Sequence, residues 1–339
     1  MIDARIVRDI GLDFGIDEIK ITTAQPLQDA AARIKQQIRA GFYLESEHWH
    51  LRNIDDFCDV GTALPKARSI IAACQCYLTG ECADLDSAGD PQGLIARYSW
   101  RNHYSDLKER LELLAAVLKE KYMASCVVYS NGNIAEKPVA QRSGIGYYGK
   151  HSIIINQHFG SWIVLGEIIT DIEIHPDSPD TGDCADCTIC IDACPTDAII
   201  EPYIIDRRRC IQALTNWYGI LPDEIAKVWG NRLYGCTDCQ DRCPINQNVK
   251  PQPPRTEIGY VGPAVSLRGI LSMSQKEYRR KYARNQMAAN WINFKAIKRN
   301  ALVALGNIGD RSTLPLLDEY SKDNDAVLAQ TARWAMSRF

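Results

Sequence analysis

One run of cysteines constrains this chain more than any other feature. Cys184, Cys187, Cys190 and Cys194, with Pro195 directly after them, have the spacing C-x2-C-x2-C-x3-C-P. Bacterial ferredoxins bind 4Fe–4S clusters with this run, because the two-residue gaps let three thiolates converge on one cube. The fourth cysteine, next to the proline, binds a second cluster. The run therefore predicts a two-cluster module.

A second, shorter run supports this prediction. Cys236, Cys239 and Cys243, followed by Pro244, have the spacing C-x2-C-x3-C-P and are one cysteine short of the first run. Cys210, in the segment RRRCIQAL, is the natural supplier of the missing ligand. Zinc is the alternative, since CxxC pairs also bind zinc. The doubled Cys-Pro and the reciprocal spacing favour iron–sulfur clusters.

The eight cysteines divide evenly between two clusters. The first cluster is predicted to use Cys184, Cys187, Cys190 and Cys243, and the second Cys194, Cys210, Cys236 and Cys239. Of the other five cysteines, Cys74, Cys76 and Cys126 lie in apolar segments and are expected to fill the core.

The total of 13 cysteines is odd, and a chain of 339 residues can build a core without disulfides. The N-terminus lacks an apolar signal core, and no apolar run approaches the ~20 residues that span a bilayer. We therefore expect a cytoplasmic protein that makes no contact with a membrane.

The patterns predict three regions. Residues 1–175 read as an α/β domain, residues 176–250 as a ferredoxin-like module and residues 264–339 as HEAT-like helices, with a proline-rich linker at 251–263. Strands are predicted at 17–23, 69–78, 126–129, 152–156 and 162–170, the last two as a hairpin around the turn QHFG. Helices are predicted at 2–14, 27–40, 105–122, 134–143, 294–306, 313–320 and 326–336.

The C-terminal part of the chain is basic. Residues 250–339 contain 15 Lys or Arg and 7 Asp or Glu, although the whole chain has a net charge of −3. The run 276–284 (KEYRRKYAR) interleaves Tyr278 and Tyr282 with basic residues. Such a run can meet the phosphates of a nucleic acid. The alternative is a solvated helix face.

Two other motifs carry weaker signals. Gly144, Gly146 and Gly149 spell GxGxxG, but a helix is predicted before them and a strand after them, the reverse of a dinucleotide site. We predict a glycine turn there. His48 and His50 are spaced to share a metal, but no third ligand is near in sequence, so surface or core roles are predicted.

The whole chain resembles the epoxyqueuosine reductase family. The matching segments are LPKARSIIAA, GIGYYGKHSIII, CADCTICIDACPTDAI, DRRRCIQALTNWYGILPDEI and WGNRLYGCTDCQDRCPIN. The resemblance implies a nitroreductase-like, cobalamin-binding domain beside a double 4Fe–4S module. It also implies electron transfer through both clusters to cobalt, and reduction of epoxyqueuosine in tRNA to queuosine. Reductive dehalogenases have a related architecture.

The resemblance also implies which residues form the site. Those expected to hold cobalamin are Asn102, Ser130, Gly146, Lys150 and Ile154. The family's D-Y-H helix start is here Asn102-His103-Tyr104.

The expected reaction side departs from the family. The family segment D-x-x-P-x-x-E is here 130–136, with Ser130 in place of the aspartate, Asn133 in place of the proline, and Glu136 retained. The catalytic position is therefore Ser130, with Tyr129 and Tyr104 as candidate substitutes for the missing acid.

These departures keep other functions open. One is a corrinoid-dependent reductase with another substrate, with chemistry like that of the dehalogenases. Another is an electron-transfer protein without a substrate of its own. A ferredoxin or flavodoxin is the expected electron donor, and tRNA is an expected partner of the basic C-terminal third.

Overall fold

The computed structural model describes residues 2–44, 53–85 and 89–339. The helices are α1 Ala4–Asp13, α2 Gln28–Arg39, α3 Ile54–Phe57, α4 His103–Tyr122, α5 Glu136–Ser143, α6 Ile189–Asp192, α7 Ile211–Asn216, α8 Asp223–Val228, α9 Asp238–Asp241, α10 Pro244–Gln247, α11 Leu267–Ser272, α12 Gln275–Lys281, α13 Phe294–Ile308, α14 Leu314–Ser321 and α15 Ala326–Met336. The strands are β1 Glu18–Thr23, β2 Ser69–Cys76, β3 Gln92–Ile95, β4 Cys126–Tyr129, β5 Tyr147–Tyr148, β6 Ile154–Ile155, β7 Ile163–Thr170, β8 Ile199–Glu201, β9 Ile204–Ile205, β10 Arg232–Tyr234 and β11 Ala264–Ser266. His48 and His50 lie outside the described residues.

A four-stranded antiparallel sheet with the order β1-β2-β7-β4 forms the N-terminal half. Every residue of β2 and β7 is buried, because helices cover both faces of the sheet. One face packs against α1 and α4 through residues such as Leu111 and Ile168. The other packs against α2 and α5 through residues such as Leu165 and Val139. Cys74 and Cys76 are buried in β2, as predicted, and Cys126 is partly buried.

The predicted hairpin around QHFG is wrong. β6 pairs with β5 across the turn at 149–153, whereas β7 enters the large sheet between β2 and β4. A single bridge between Asn156 and Gly160 is what remains of the expected pairing. The apolar β7 has far more surface to bury between two long strands than against the two residues of β6, and this difference decides its partners.

The glycine motif is a turn, as predicted. Gly144 ends α5 with a left-handed backbone (φ +87°), which glycine adopts without strain. A Cβ there would lie 2.4 Å from the carbonyl oxygen of Ser178. A helix precedes the motif, β5 lies within it and β6 follows it, the opposite order to a dinucleotide-binding turn.

The proline-rich segment 251–263 is not a free linker. Gln252 forms a bridge with Thr79, and Arg255 forms an ion pair with Asp17. The segment then leads into β11, which completes a second sheet with the order β10-β3-β11. Proline favours extended backbone, and an extended strap can follow the surface of the N-terminal half.

The C-terminal helices form their own core and fasten to the cysteine-rich region. α13 packs against α11 and α15, and α14 packs against α15, around residues such as Leu302, Leu305 and Ala332. Within the described ranges, no helix combines the length and the apolar character required to cross a membrane.

Candidate active site between the cysteine module and the large sheet

The cysteine module contains two copies of one nine-residue pattern. Residues 187–195 and 236–244 both read C-T-x-C-x-D-x-C-P. In each copy a one-turn helix, α6 or α9, carries the middle cysteine, and the two helices pack against each other. In each, the threonine hydroxyl donates a hydrogen bond to the aspartate carboxylate, at 3.1 Å and 2.7 Å. The repeated pattern therefore has the same local conformation twice.

The eight cysteines of the module form two groups. We call Cys184, Cys187, Cys190 and Cys243 the surface group, and Cys194, Cys210, Cys236 and Cys239 the deep group. Burial raises the pKa of Cys190 to about 11, and the other three thiols of its group raise it further. Burial also raises the pKa of Cys239 well above its usual value, and the other three thiols of its group act in the same direction. The fold thus brings together the two sets that the spacing predicted, although their role as ligands stays a prediction.

The surface group lies at the outside of the molecule. Both groups contain partly exposed cysteines, but fewer protein atoms surround Cys184 and Cys190 than surround Cys210 and Cys239 of the deep group. Two apolar side chains near the surface group, Ile189 and Tyr203, are 44% and 39% exposed. Lys150 also lies here, where its Nζ donates to the carbonyl oxygen of Ala185 at 2.6 Å. A redox partner can therefore approach this group directly.

The deep group lies against the N-terminal half. Burial raises the pKa of Tyr98 to about 12, and the nearby thiols of Cys236 and Cys210 act in the same direction. The guanidinium of Arg232 donates to Asp238 at 2.5 Å and to the thiol of Cys236. On the opposite side of the group, the backbone N–H of Ala198 donates to Cys194 Sγ at 3.3 Å.

The start of α5 lies close to the deep group, and we call the region between them the α5 cleft. Protein atoms surround Glu136 and Lys137, yet both residues keep accessible surface. Burial lowers the pKa of Lys137 to about 8; Arg207 acts in the same direction, whereas Cys210 and Glu136 oppose it. Cys210 of the deep group is therefore an electrostatic neighbour of the N-terminus of α5.

The loop 130–133 forms the edge of this cleft before α5. Ser130 Oγ donates to the carbonyl oxygen of Leu165 at 2.8 Å. Asn131 has a left-handed backbone (φ +54°), and its side chain reaches Gln286 in the C-terminal half at 3.5 Å. Glu136 Oε1 accepts the N–H of Gly132 at 3.0 Å. The loop is therefore fixed to β7, to α5 and to the C-terminal half.

A second carboxyl lies behind this loop, and the sequence reasoning missed it. Glu167 occupies the middle of β7, opposite Tyr129 of β4, and is 1% exposed. Its Oε2 has no hydrogen-bond partner within the described part of the chain. Burial raises its pKa well above the usual value, and the charge of Glu136 raises it further. The available signal was a lone glutamate in the apolar run 162–170.

The other candidate catalytic tyrosines differ in position. Tyr104 of α4 is half-buried, and burial raises its pKa well above the usual value, with Tyr98, Tyr77 and Glu136 acting in the same direction. Tyr129 ends β4 directly before Ser130 and packs on the α5 side of the sheet. Tyr104 is thus a neighbour of Glu136, and Tyr129 lies opposite Glu167, while the catalytic role of both tyrosines stays a prediction.

The residues expected to hold cobalamin are spread more widely. The Asn102 side chain accepts from Ser105 at 3.1 Å and from Gln286 at 3.0 Å, and it donates to the carbonyl oxygen of Arg284. Gly146 and Ile154 lie side by side in the turn after α5, where a Cβ on Gly146 would come within 2.9 Å of Ile154. Ser130 lies at the α5 cleft and Lys150 beside the surface group. Their role in binding cobalamin stays a prediction.

The basic segment of the C-terminal third is only partly available to a ligand. Tyr278 and Tyr282, which alternate with basic residues in the sequence, are buried, and Tyr278 stacks on Phe294 with ring centres 4.3 Å apart. Arg279 donates to backbone carbonyls of the loop that precedes α13. Lys276, Arg280 and Lys281 remain exposed on α12, together with Arg284, which forms an ion pair with Glu109.

Comparisons with known proteins agree with this geometry. Residues 183–246 match the model of the 4Fe–4S double cluster binding domain. The epoxyqueuosine reductase of Bacillus subtilis (strain 168) is 35% identical over 334 residues, which cover 96% of this chain and 84% of the relative. This chain belongs to the epoxyqueuosine reductase family. The Escherichia coli (strain K12) member is 29% identical, over 99% of this chain and 89% of the relative.

Solved structures of epoxyqueuosine reductases share the fold. One, in complex with an epoxyqueuosine-modified tRNA-Tyr stem loop, superposes with a TM-score of 0.90 at 33% identity, covering 99% of this chain and 89% of that one. Another, from Bacillus subtilis, has its catalytic aspartate loop swung out of the active site. It superposes with a TM-score of 0.89 at 32% identity, covering 99% of this chain and 90% of that one.

The residues present fit the family's cofactors, two 4Fe–4S clusters and cobalamin. Four thiols in each group match the four cysteine ligands of one cubane cluster. Four thiols also suit zinc, and the match to the double cluster domain decides for iron–sulfur clusters. For cobalamin, the α5 cleft lies directly beside the deep group, so a redox cofactor in it would be next to the cluster that reduces it. Ser130 and Lys137 are the polar side chains on its α5 wall.

Proposed function

We propose that this protein reduces epoxyqueuosine in tRNA to queuosine. The observation that carries the proposal is the position of the deep cysteine group, which lies close to the Glu136 carboxyl at the start of α5. Removing an epoxide oxygen to leave an alkene and water consumes two electrons and two protons. The cleft has an electron source on one side and an acid on the other. A tRNA substrate also places the reaction in the cytoplasm.

The depths of the two groups set the direction of electron flow. With clusters bound, electrons would enter at the surface group, because fewer protein atoms surround Cys184 and Cys190, and would pass inward to the deep group, where protein atoms enclose Cys210. Helices α6 and α9 pack together, which keeps the two clusters adjacent. We propose a ferredoxin or flavodoxin as donor, because cluster reduction requires a one-electron carrier of low potential.

Bound cobalamin supplies a cobalt centre that can act as a strong nucleophile once it is reduced. The chain itself orients the substrate, excludes water and holds the proton that the opened epoxide oxygen needs. The rigid attachment of loop 130–133 to β7 and to Gln286 keeps the acidic wall in place.

We further propose the finer architecture that the resemblance implies. Residues 1–175 would form the nitroreductase-like cobalamin domain, residues 176–250 the ferredoxin-like module and residues 264–339 a HEAT-like unit. Packing of α14 and α13 on α15 supports the last assignment. The cluster ligands would be the surface and deep groups as defined above.

The anionic partner would be the tRNA stem loop, as in the solved complex of the relative. Lys276, Arg280 and Lys281 on α12 are exposed cations that suit phosphate contacts. Because Tyr278 and Tyr282 are buried, base stacking on these two rings is not part of the proposal.

The test is anaerobic turnover of a defined substrate. Protein reconstituted with iron, sulfide and cobalamin is mixed with a chemical reductant and an epoxyqueuosine-containing stem loop, and nucleosides are quantified by mass spectrometry. The expected result is queuosine in proportion to enzyme. Failure of active, fully loaded protein to convert this substrate would leave the second candidate, a corrinoid reductase with another substrate, which the serine at position 130 favours.

A further inference from the structure

Reduction of the epoxide needs an acid, and the residue at the family's aspartate position cannot supply it. Breaking the carbon–oxygen bond leaves negative charge on oxygen, which must take a proton in the transition state or soon after it. Ser130 is a poor acid near neutral pH, and its hydroxyl already donates to the carbonyl oxygen of Leu165 at 2.8 Å. Another group in this chain must therefore hold the proton.

Among the other titratable groups near the α5 cleft, the tyrosines hold their protons too tightly and the histidine has none to give. Lys137 holds a proton, but its Nζ donates to the carbonyl oxygen of Ser152 at 2.9 Å. Burial raises the pKa of Tyr98 to about 12 and that of Tyr104 well above its usual value. His103 is 3% exposed, and burial lowers its pKa to about 4, so it is neutral at pH 7 and has no imidazolium proton to give.

Glu136 has the right position and surroundings. It begins α5 at the foot of the Ser130 loop, where Oε1 accepts the Gly132 N–H at 3.0 Å. Glu136 is partly exposed as a residue although protein atoms surround its carboxyl. A ligand in the cleft can thus reach a carboxyl that is largely shielded from bulk water.

Three titratable side chains and two backbone N–H groups lie around Glu136. Glu167 of β7 lies on the sheet face that α5 covers, because alternation along the strand places it with Leu165 and Ile169. Tyr104 approaches from α4, and Lys137 lies next to Glu136 on α5. Burial raises the pKa of Glu136, while the Gly132 and Asn131 N–H groups and Lys137 lower it; the net direction is upward. Glu167 is more deeply buried than Glu136, so it stays neutral and adds no negative charge beside the Glu136 carboxyl.

We propose that Glu136 is the proton donor to the substrate oxygen in this chain, in place of the family's aspartate. The inference rests on the proposed function. In the step, the epoxide carbon–oxygen bond breaks, the Glu136 O–H bond breaks, and the proton goes to the freed oxygen. Glu136 is left as a carboxylate and takes a new proton from water at the cleft mouth. The low-potential donor supplies two electrons through the clusters to the substrate carbon. The second carbon–oxygen bond then breaks to leave the alkene, and the re-protonated Glu136 gives the second proton, so that the oxygen leaves as water.

The test compares Glu136→Gln with a matched control, Glu167→Gln. A glutamine at 136 keeps an oxygen for the Gly132 N–H, so it preserves the loop and removes only the acid. In single turnover of the stem loop by fully loaded protein, Glu136→Gln is expected to slow queuosine formation by about 100-fold or more. Glu167→Gln, which replaces a neutral buried carboxyl by a neutral amide, is expected to stay within about threefold. Adding Ser130→Asp to Glu136→Gln should restore much of the original rate.

A second measurement does not depend on turnover. In the cofactor-free protein, the infrared carbonyl band of a protonated carboxyl should diminish as pH rises, and Glu136→Gln should lack that titrating component while Glu167→Gln retains it. Wild-type rates from Glu136→Gln, or no such titrating band in the parent protein, would overturn the inference and leave the proposed function standing. If neither the parent protein nor the Ser130→Asp variant converts epoxyqueuosine to queuosine, both the proposed function and the role of Glu136 as proton donor are contradicted.

Discussion

The two copies of C-T-x-C-x-D-x-C-P have the same local structure and different surroundings. Residues 187–195 lie near exposed Ile189 and Tyr203, whereas residues 236–244 lie beside Arg232 and Tyr98 and face the α5 cleft. The short helices, the threonine–aspartate hydrogen bonds and the cysteine before proline are shared. Identical ligand spacing therefore supplies two similar clusters, and only the surroundings decide which one receives electrons and which one delivers them.

Removing one cysteine ligand from each group gives the largest expected effects and tests which cluster receives electrons and which delivers them. Cys210→Ala should destroy the deep cluster and abolish turnover with every reductant, because no cluster then lies beside the cleft. Cys187→Ala should abolish turnover with a protein donor but leave some with a small chemical reductant that reaches the deep cluster. In both variants, metal analysis should give about four irons, compared with about eight in the parent.

Equal activity of the two variants with the chemical reductant would contradict the assigned order of the clusters. About two zincs and no iron in the parent protein would contradict the cluster assignment itself.

The support of the deep group can be tested through Arg299 of α13. This fully buried guanidinium donates to the carbonyl oxygens of Leu214, Trp217 and Gly219, which follow Cys210 at the end of α7 and beyond it. Arg299→Met leaves these carbonyls unpaired, so we expect the free energy of unfolding to fall by about 3 kcal/mol. Thermal unfolding of the loaded protein measures the decrease.

The matched control is Lys322→Met, which breaks an exposed pair with Asp318 and should change stability by about 0.5 kcal/mol or less. A similar small change for Arg299→Met would show that α7 does not depend on this guanidinium.

The difference between the two clusters should also appear in their reduction potentials. Arg232 is the cation that donates to Cys236, and hydrogen bonds to cluster sulfur stabilise the reduced state. Arg232→Gln should lower the potential of the deep cluster by about 60 mV, which is about 1.4 kcal/mol for one electron. Redox titration followed by electron paramagnetic resonance measures both clusters in one sample. Equal shifts of the two potentials would argue against a local effect of Arg232.

The smallest expected effect is on the proposed tRNA surface. Replacing Lys276, Arg280 and Lys281 by Gln should weaken stem-loop binding and reduce its dependence on salt, by a slope of about 0.7 to 0.9 for each phosphate that is no longer neutralised. Filter binding at several salt concentrations gives the slope. Lys322→Gln, on the segment after α14, is the control. An equal change in the salt dependence of binding for this variant would contradict the proposal that α12 contacts the tRNA.

The sequence alone determined the electron-carrying part of this protein. The positions of the eight cysteines fixed their division into two sets, since ligand spacing is a local property of the chain. Long apolar or amphipathic segments, such as β2, β4, β7 and α4, were also predictable, because periodicity reports burial within a single element. The pairing of β7 was not, since the strand had several possible partners and long-range burial chose among them.

Only the tertiary structure decided the acidic side of the site. Glu136 and Glu167 are 31 positions apart, and their approach depends on α5 lying across the face of the sheet that carries Glu167. The extended strap at 251–263 and the link from Asn131 to Gln286 likewise join distant segments. Whether a carboxyl is charged depends on the atoms packed around it, and that packing is settled only when the whole chain has folded.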